Sequence, residues 1–296
     1  MPRTAANGIE IEYDTFGDPS DPALLLVMGF TAQLIAWDER FCRALADRGF
    51  HVIRFDNRDC GLSTHFDGSD LDIIALMAAR EGTGPMPEVP YTLSDMSDDG
   101  FGLLRALGIE RAHIVGASMG GMIVQTMAIE HPERVLTLTS IMSATGEPEY
   151  MQADPAAMEV LLTPPPTERG AYIDASVAAG KLFASPRYYD ETKARDRASR
   201  SYDRAFYPQG AARQMGAIAA SGSRADGLRT LRVPTLVVHG RADTLILPIG
   251  GERTAELVPA ANLLLCNDMG HDLPEPLWPL ILDTIASHAR HAIGGI

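Results

Sequence analysis

The chain has 296 residues, 46% of them hydrophobic, and a formal net charge of −14 at pH 7. That length suits one large domain or a core with a substantial insertion, and the apolar share is enough for a packed interior. So acidic a chain is repelled by nucleic acid and by anionic membrane surfaces, which removes both as expected partners and leaves a small neutral ligand open.

Along the first 142 residues, short β-rich runs alternate with helical patterns. IEIEYDTFG (9–17) alternates apolar and polar positions as a half-exposed strand does, whereas ALLLVMG (23–29) and HVIRFD (51–56) are continuous apolar runs of the kind that fills a buried parallel sheet. Between those two runs, Trp37, Phe41, Leu45 and Phe50 recur near helical spacing, with Gly49 marking the end. TLSDMSDDGFGLLRALGIE (92–110) predicts a helix capped by Thr92 or Ser94, with Gly108 just beyond it. AHIVGAS (112–118) predicts a strand followed by a helix from Met119 to about His131, and VLTLTSIMS (135–143) predicts the next strand.

The rhythm breaks after Ser143. Residues 144–228 hold helical stretches, such as AYIDASVAAGKLFA and ETKARDRASRSYDRAFY, and no convincing strand. PTLVVHG (234–240) and ANLLLCND (261–268) then restore the strand signal, and LWPLILDTIASHARHA closes the chain as a helix. The expected organisation is an α/β core from 1–143 and 229–296, mostly parallel in its sheet and covered on both faces, with 144–228 inserted as a helical cap. A Gly/Pro-rich stretch, EGTGPMPEVP (81–90), is expected to be irregular.

The chemistry centres on HIVGASMGGMIVQ, residues 113–125. A serine presented on a tight strand-to-helix turn needs small neighbours two residues to either side, and Gly116 and Gly120 flank Ser118 in that way. Gly121 relieves crowding as the helix packs on the sheet. The helix N-terminus adds unpaired N–H groups that stabilise negative charge. Phosphate-binding alternatives fail on detail, since neither Gly-Lys-Ser/Thr nor GxGxxG is present there.

A serine needs a base, and the base needs an orienting acid. Of the eight histidines, His51, His113 and His239 sit in buried strands, while His131, His288 and His291 lie on helices. His65 is in an early loop. His271, in NDMGHDLP (267–274), instead lies between the last strand and the last helix, at the carboxyl edge of the sheet where ligands gather. Asp243, in VVHGRADTLI (237–246), falls just past the preceding strand by the same argument, with Asp268, Asp272 and Glu147 as alternatives. Oxyanion donors are expected from the Met119 N–H, next to the serine, and from Phe30, where Gly29 permits close approach. Asp56, Arg58 and Asp59 in FDNRDCGLS (55–63) read as a turn held by an arginine–carboxylate pair rather than a metal or phosphate site.

Cys42, Cys60 and Cys266 are scattered without a CxxC pair, so neither a disulfide framework nor a zinc site is expected. No cofactor is called for. The opening residues lack an apolar signal segment, and ALLLVMGF is far too short to span a bilayer. A cytoplasmic location is the expectation, with homo-oligomer formation left open.

These motifs together resemble the α/β-hydrolase superfamily over nearly the full chain, in the bacterial lipase/esterase branch that includes aclacinomycin methylesterase. LLLVMGF, HVIRFDNRDCGLS, AHIVGASMGGMIVQ, PTLVVHGRAD and MGHDLP carry the resemblance, with the chain order Ser118, Asp243, His271. It implies a cofactor-free serine hydrolase acting on small or medium hydrophobic carboxylic esters beneath the helical cap, with those three residues as triad and Phe30 and Met119 as oxyanion donors. C–C bond hydrolysis, perhydrolysis and a non-catalytic binding role are the alternatives. Many relatives carry His-Gly before the oxyanion residue; Met28-Gly29 stands there in this chain.

Overall fold

The computed structural model describes residues 1–69, 71–80 and 82–293. Eight strands form one sheet: β1 (Arg3–Ala6), β2 (Ile9–Phe16), β3 (Ala23–Val27), β4 (His51–Phe55), β5 (Ala112–Ala117), β6 (Val135–Ile141), β7 (Thr235–Gly240) and β8 (Asn262–Cys266). Their order across the sheet is β1-β2-β4-β3-β5-β6-β7-β8. The first two pairings are antiparallel and all later ones are parallel.

The helices are α1 (Glu39–Ala46), α2 (Ile73–Arg80), α3 (Leu93–Ala106), α4 (Met119–Glu130), α5 (Pro155–Leu162), α6 (Arg169–Phe183), α7 (Glu191–Arg204), α8 (Gly210–Ser221), α9 (Ala225–Thr230), α10 (Pro248–Leu257) and α11 (Trp278–Ile293). Among the described residues, no strand lies between β6 and β7. None of the described helices is long and apolar enough to cross a membrane.

The apolar run of β3 explains how the sheet is packed. All five of its residues are buried, but successive side chains of a strand point to opposite faces. Leu25 and Val27 enter a core shared with α3 and α4, whereas Leu24 and Leu26 enter one shared with α1 and α11. A sheet covered on both faces needs such an uninterrupted run. The pair α6 and α7 has a small core of its own, built on Ile173, Val177, Ala194 and Ala198. α9 differs from them, because Ala225 and Leu228 join the core of α3 and α4.

Local signals set the boundaries. The helix anticipated around Trp37 to Phe50 is shorter than its apolar pattern. The Asp38 side chain accepts from the Arg40 N–H and starts α1, and the helix ends at Ala46, before Gly49 at φ +84°. Trp37 and Phe50 are still buried, from the flanking turns. Thr92 caps α3, its N–H donating to the Asp95 carboxylate at 2.7 Å. Residues 82–90 carry no regular element, and Glu81 lies outside the described residues.

Candidate active site

Ser118, Asp243 and His271 each follow the carboxyl end of a different parallel strand, β5, β7 and β8. Pairing fixes those ends side by side: Ala117 is opposite Ile141, Ile141 opposite Val238, and Gly240 opposite Cys266. Loop hydrogen bonds then tie the segments together. The Ser118 N–H donates to the Ile141 carbonyl at 2.9 Å, and the Ala242 N–H to the Met269 carbonyl at 3.0 Å. The loops of Asp243 and His271 approach so closely that a Cβ at Gly240 would overlap the Met269 carbonyl.

The three side chains meet. His271 Nε2 lies 3.0 Å from Ser118 Oγ, and His271 Nδ1 lies 2.8 Å from Asp243 Oδ2. The other Asp243 oxygen accepts from the Leu245 and Ile246 amides, both at 2.9 Å. Burial would raise the Asp243 pKa, but the His271 charge and hydrogen bonds from His239 and His271 outweigh it and hold the carboxyl well below the usual carboxylate range. Ser118 itself sits at φ +57°, ψ −122°, a sparsely populated conformation costing about 1–3 kcal/mol that only a tightly constrained turn maintains.

The alternative carboxylates are engaged elsewhere. Asp268 pairs with Arg187 at 3.0 Å, and Glu147 pairs with Arg253 at 2.9 Å. Asp272 accepts from the Ser185 and Gly270 amides.

At the end of β3, the Ala32 N–H donates to the Gly29 carbonyl and closes a four-residue turn through Phe30 and Thr31. Among the described residues, the Phe30 N–H has no acceptor. Met119 is the first residue of α4, where an amide has no intrahelical partner. Two N–H donors are thus available around Ser118. The chemistry this permits is attack by an oriented hydroxyl beside a proton acceptor, with donors ready for developing negative charge.

A family profile described as the alpha/beta hydrolase fold matches residues 22–275. The chain belongs to the alpha/beta hydrolase fold family. It is similar to rhodomycin D methylesterase of Streptomyces sp. strain C5, 26% identical over 93% of each chain. It is also 29% identical, over 62% of its own length and 65% of the relative's, to the 2-hydroxy-6-oxononadienedioate/2-hydroxy-6-oxononatrienedioate hydrolase 2 of Pseudomonas putida. Among solved structures, the meta-cleavage product hydrolase of Pseudomonas fluorescens IP01 superposes with a TM-score of 0.79 at 22% identity, covering 99% of this chain and 98% of that one. That likeness concerns the fold.

Other residues of this alpha/beta hydrolase support the site in ways its sequence does not advertise. His239, expected only to pack in its strand, is fully buried and lies with Nε2 2.8 Å from the Ile246 carbonyl and 3.4 Å from Asp243 Oδ2. Asp56 and Asp59 do anchor a turn, but their arginines come from the helical segment. Arg204 at the end of α7 pairs with Asp56 at 2.8 Å, and Arg213 on α8 pairs with Asp59 at 2.8 Å. Arg58 reaches instead to Asp99 on α3, at 2.6 Å. His65 stacks on Tyr207, with ring centroids 3.6 Å apart. The carboxyl end of α6 is seated on the loops that carry Asp243 and His271: His271 N–H donates to the Phe183 carbonyl at 2.6 Å, and Thr244 Oγ1 donates to the Leu182 carbonyl at 2.9 Å.

The glycines around Ser118 give a direct prediction. A Cβ on Gly120 would overlap the Val27 carbonyl oxygen, and it would also crowd the Met28 carbonyl. Both are backbone groups leading into the Gly29–Phe30 turn, so no side-chain rotation relieves the clash. Gly120→Ala should lower unfolding free energy in a urea titration by about 3 kcal/mol or more. Wild-type stability in that variant would show that the helix can slide away from β3.

Proposed function

We propose that this protein hydrolyses carboxylic esters of small or medium hydrophobic substrates through an acyl-enzyme on Ser118. The observation that carries the reading is the continuous relay from Ser118 Oγ through His271 to Asp243, at 3.0 and 2.8 Å. Ser118 Oγ attacks the ester carbonyl carbon while its proton passes to His271 Nε2. The carbonyl oxygen, now an oxyanion, accepts from the Phe30 and Met119 amides. Collapse breaks the bond to the leaving alcohol, which takes the proton from His271. Water then gives a proton to His271 and attacks the acyl carbonyl, and the second collapse returns Ser118 with its proton. Asp243, held ionised, stabilises the imidazolium in both halves.

Residues 144–228 act in this reading as a cap. The contacts of Phe183 and Leu182 with the His271 and Asp243 loops support that placement. So do eight aromatic residues between Tyr150 and Tyr207, which supply apolar surface for an acyl or alcohol group. Tyr172, Tyr202 and Phe206 already pack on one another, with centroids 4.7–5.3 Å apart, and so serve mainly as the cap's own core.

A fluorophosphonate probe tests the reading, because only an activated serine displaces its fluoride. Peptide mapping should place the adduct on Ser118, and a folded protein that stays unlabelled would instead support a binding role. C–C bond hydrolysis is the second reading, favoured by the similarity to the Pseudomonas putida dienedioate hydrolase. Side-by-side turnover of p-nitrophenyl esters and that dienedioate separates the two, and faster ester cleavage is expected.

A further inference from the structure

The turn carrying Phe30 is not a relaxed one. Thr31 occupies φ +56°, a left-handed conformation that a β-branched residue rarely adopts. Such a backbone persists only when its surroundings over-determine it. Three side chains do so here. Asn57 Nδ2 donates to the Met28 carbonyl at 2.7 Å, and Cys60 Sγ donates to the Thr31 carbonyl at 3.3 Å. Both belong to the turn after β4.

The third side chain comes from far along the chain. Gln214, on α8 and fully buried, accepts the Thr31 N–H through Oε1 at 2.8 Å. Its Nε2 donates to the Arg58 carbonyl at 2.9 Å. The two bonds fix the direction of the amide, since its acceptor end must face Thr31. α8 is in turn clamped to the same turn by its neighbouring residue: Arg213 donates through Nε and Nη2 to the two Asp59 carboxylate oxygens, both at 2.8 Å. Gly210 permits the approach, because a Cβ there would overlap the Asp59 carbonyl.

We propose that Gln214 is a positioning residue for ester hydrolysis: through the Thr31 amide it holds the Phe30 N–H where the oxyanion forms, so that seating of α8 and competence of the oxyanion site are linked. The inference rests on the Ser118 reading above. A purely structural glutamine would also satisfy the Thr31 and Arg58 backbone groups, but its loss would cost stability alone. A positioning glutamine affects the transition state more than the ground state.

The test uses Gln214→Met, which keeps the length of the side chain and removes both hydrogen bonds, with inhibition by an aryl trifluoromethyl ketone as a second readout. Ser118 Oγ adds to the ketone carbonyl as its proton moves to His271, leaving a hemiketal alkoxide in the oxyanion site. A displaced donor should cut kcat by about 10- to 100-fold and weaken the ketone in parallel, with KM within about three-fold. Gln214→Glu, which retains an acceptor for Thr31 but sets its second oxygen against the Arg58 carbonyl, should keep more of kcat than Gln214→Met while losing stability. Arg213→Met, which loosens α8 but leaves the Gln214 amide in place, should lower kcat in the same direction and by less than Gln214→Met.

Folded Gln214→Met with wild-type kcat and ketone affinity would overturn the proposal, as would activity lost only in step with the folded fraction. Should Gln214→Met not fold, Gln214→Asn, one methylene shorter and still polar, is measured with the same two outcomes. Failure of the ketone to inhibit the wild-type protein would sink the Ser118 reading and this inference together. Inhibition of wild type and variant alike would sink only the role of Gln214.

Discussion

Ser118→Ala is expected to lower kcat for ester hydrolysis by a factor on the order of 10⁶ while leaving the protein folded. The substitution removes one atom, the Oγ that lies 3.0 Å from His271 Nε2. Alanine keeps the Cβ, so the strained backbone at φ +57° is no worse off than with serine. The Ser118 amide would still donate to the Ile141 carbonyl, and α4, buried along nearly its whole length, would still pack in the core. Residual catalysis should then come from the Phe30 and Met119 amides and from substrate binding. Steady-state kinetics with p-nitrophenyl esters, beside circular dichroism and a urea titration, measure both halves. A folded alanine variant that keeps most of its ester hydrolysis would falsify the assignment of Ser118.

The positions of these residues are legible in the sequence because each is tied to the end of an apolar run. β5 and β7 are buried throughout, β8 is an apolar run that passes from exposed Asn262 and Leu263 to buried Cys266, and residues just beyond parallel strands collect at one edge of the sheet. Counting forward from those strands picks out Ser118, Asp243 and His271 with no knowledge of which strands are neighbours. The family's chain order then agrees with the count.

Other features are hidden for physical reasons. Gln214 and Thr31 lie 183 positions apart, and no local pattern marks a glutamine whose role depends on where α8 docks. His239 looks like a strand residue and is one, but its distance to Asp243 is set by the reversal of the chain at Gly240–Ile246, seven residues of sequence that periodicity does not describe. The arginines facing Asp56 and Asp59 come from α7 and α8, so a reading confined to FDNRDCGLS finds the carboxylates and misassigns their partner. α2 escapes notice because LDIIALMAAR is apolar without a clear period, a run that strand and helix explain equally well.

Asp243→Asn should reduce kcat by about 10⁴-fold with little change in KM, although it alters no volume. Asp243 Oδ1 accepts from the Leu245 and Ile246 amides at 2.9 Å each, and those donors cannot be satisfied by an NH₂ group. The asparagine must therefore keep its oxygen on that side and turn its NH₂ toward His271 Nδ1. His271 would then accept at Nδ1 and carry its proton on Nε2, the nitrogen that faces Ser118. With that tautomer it cannot take the serine proton, and no carboxylate remains to stabilise an imidazolium. The same NH₂ would meet His239 Nε2, which lies 3.4 Å from Asp243 Oδ2 and donates to the Ile246 carbonyl. Two donors would face each other in a buried pocket, so a stability loss of about 1–3 kcal/mol should accompany the kinetic one. His239→Gln replaces the ring with an amide that can offer its NH₂ to the Ile246 carbonyl and its oxygen to the asparagine NH₂, and in the Asp243→Asn background it should return part of the stability and none of the rate. Kinetics and urea titrations on the two single variants and the double variant measure this separation; recovery of kcat in the double variant would show that His239, rather than the tautomer of His271, limits the asparagine enzyme.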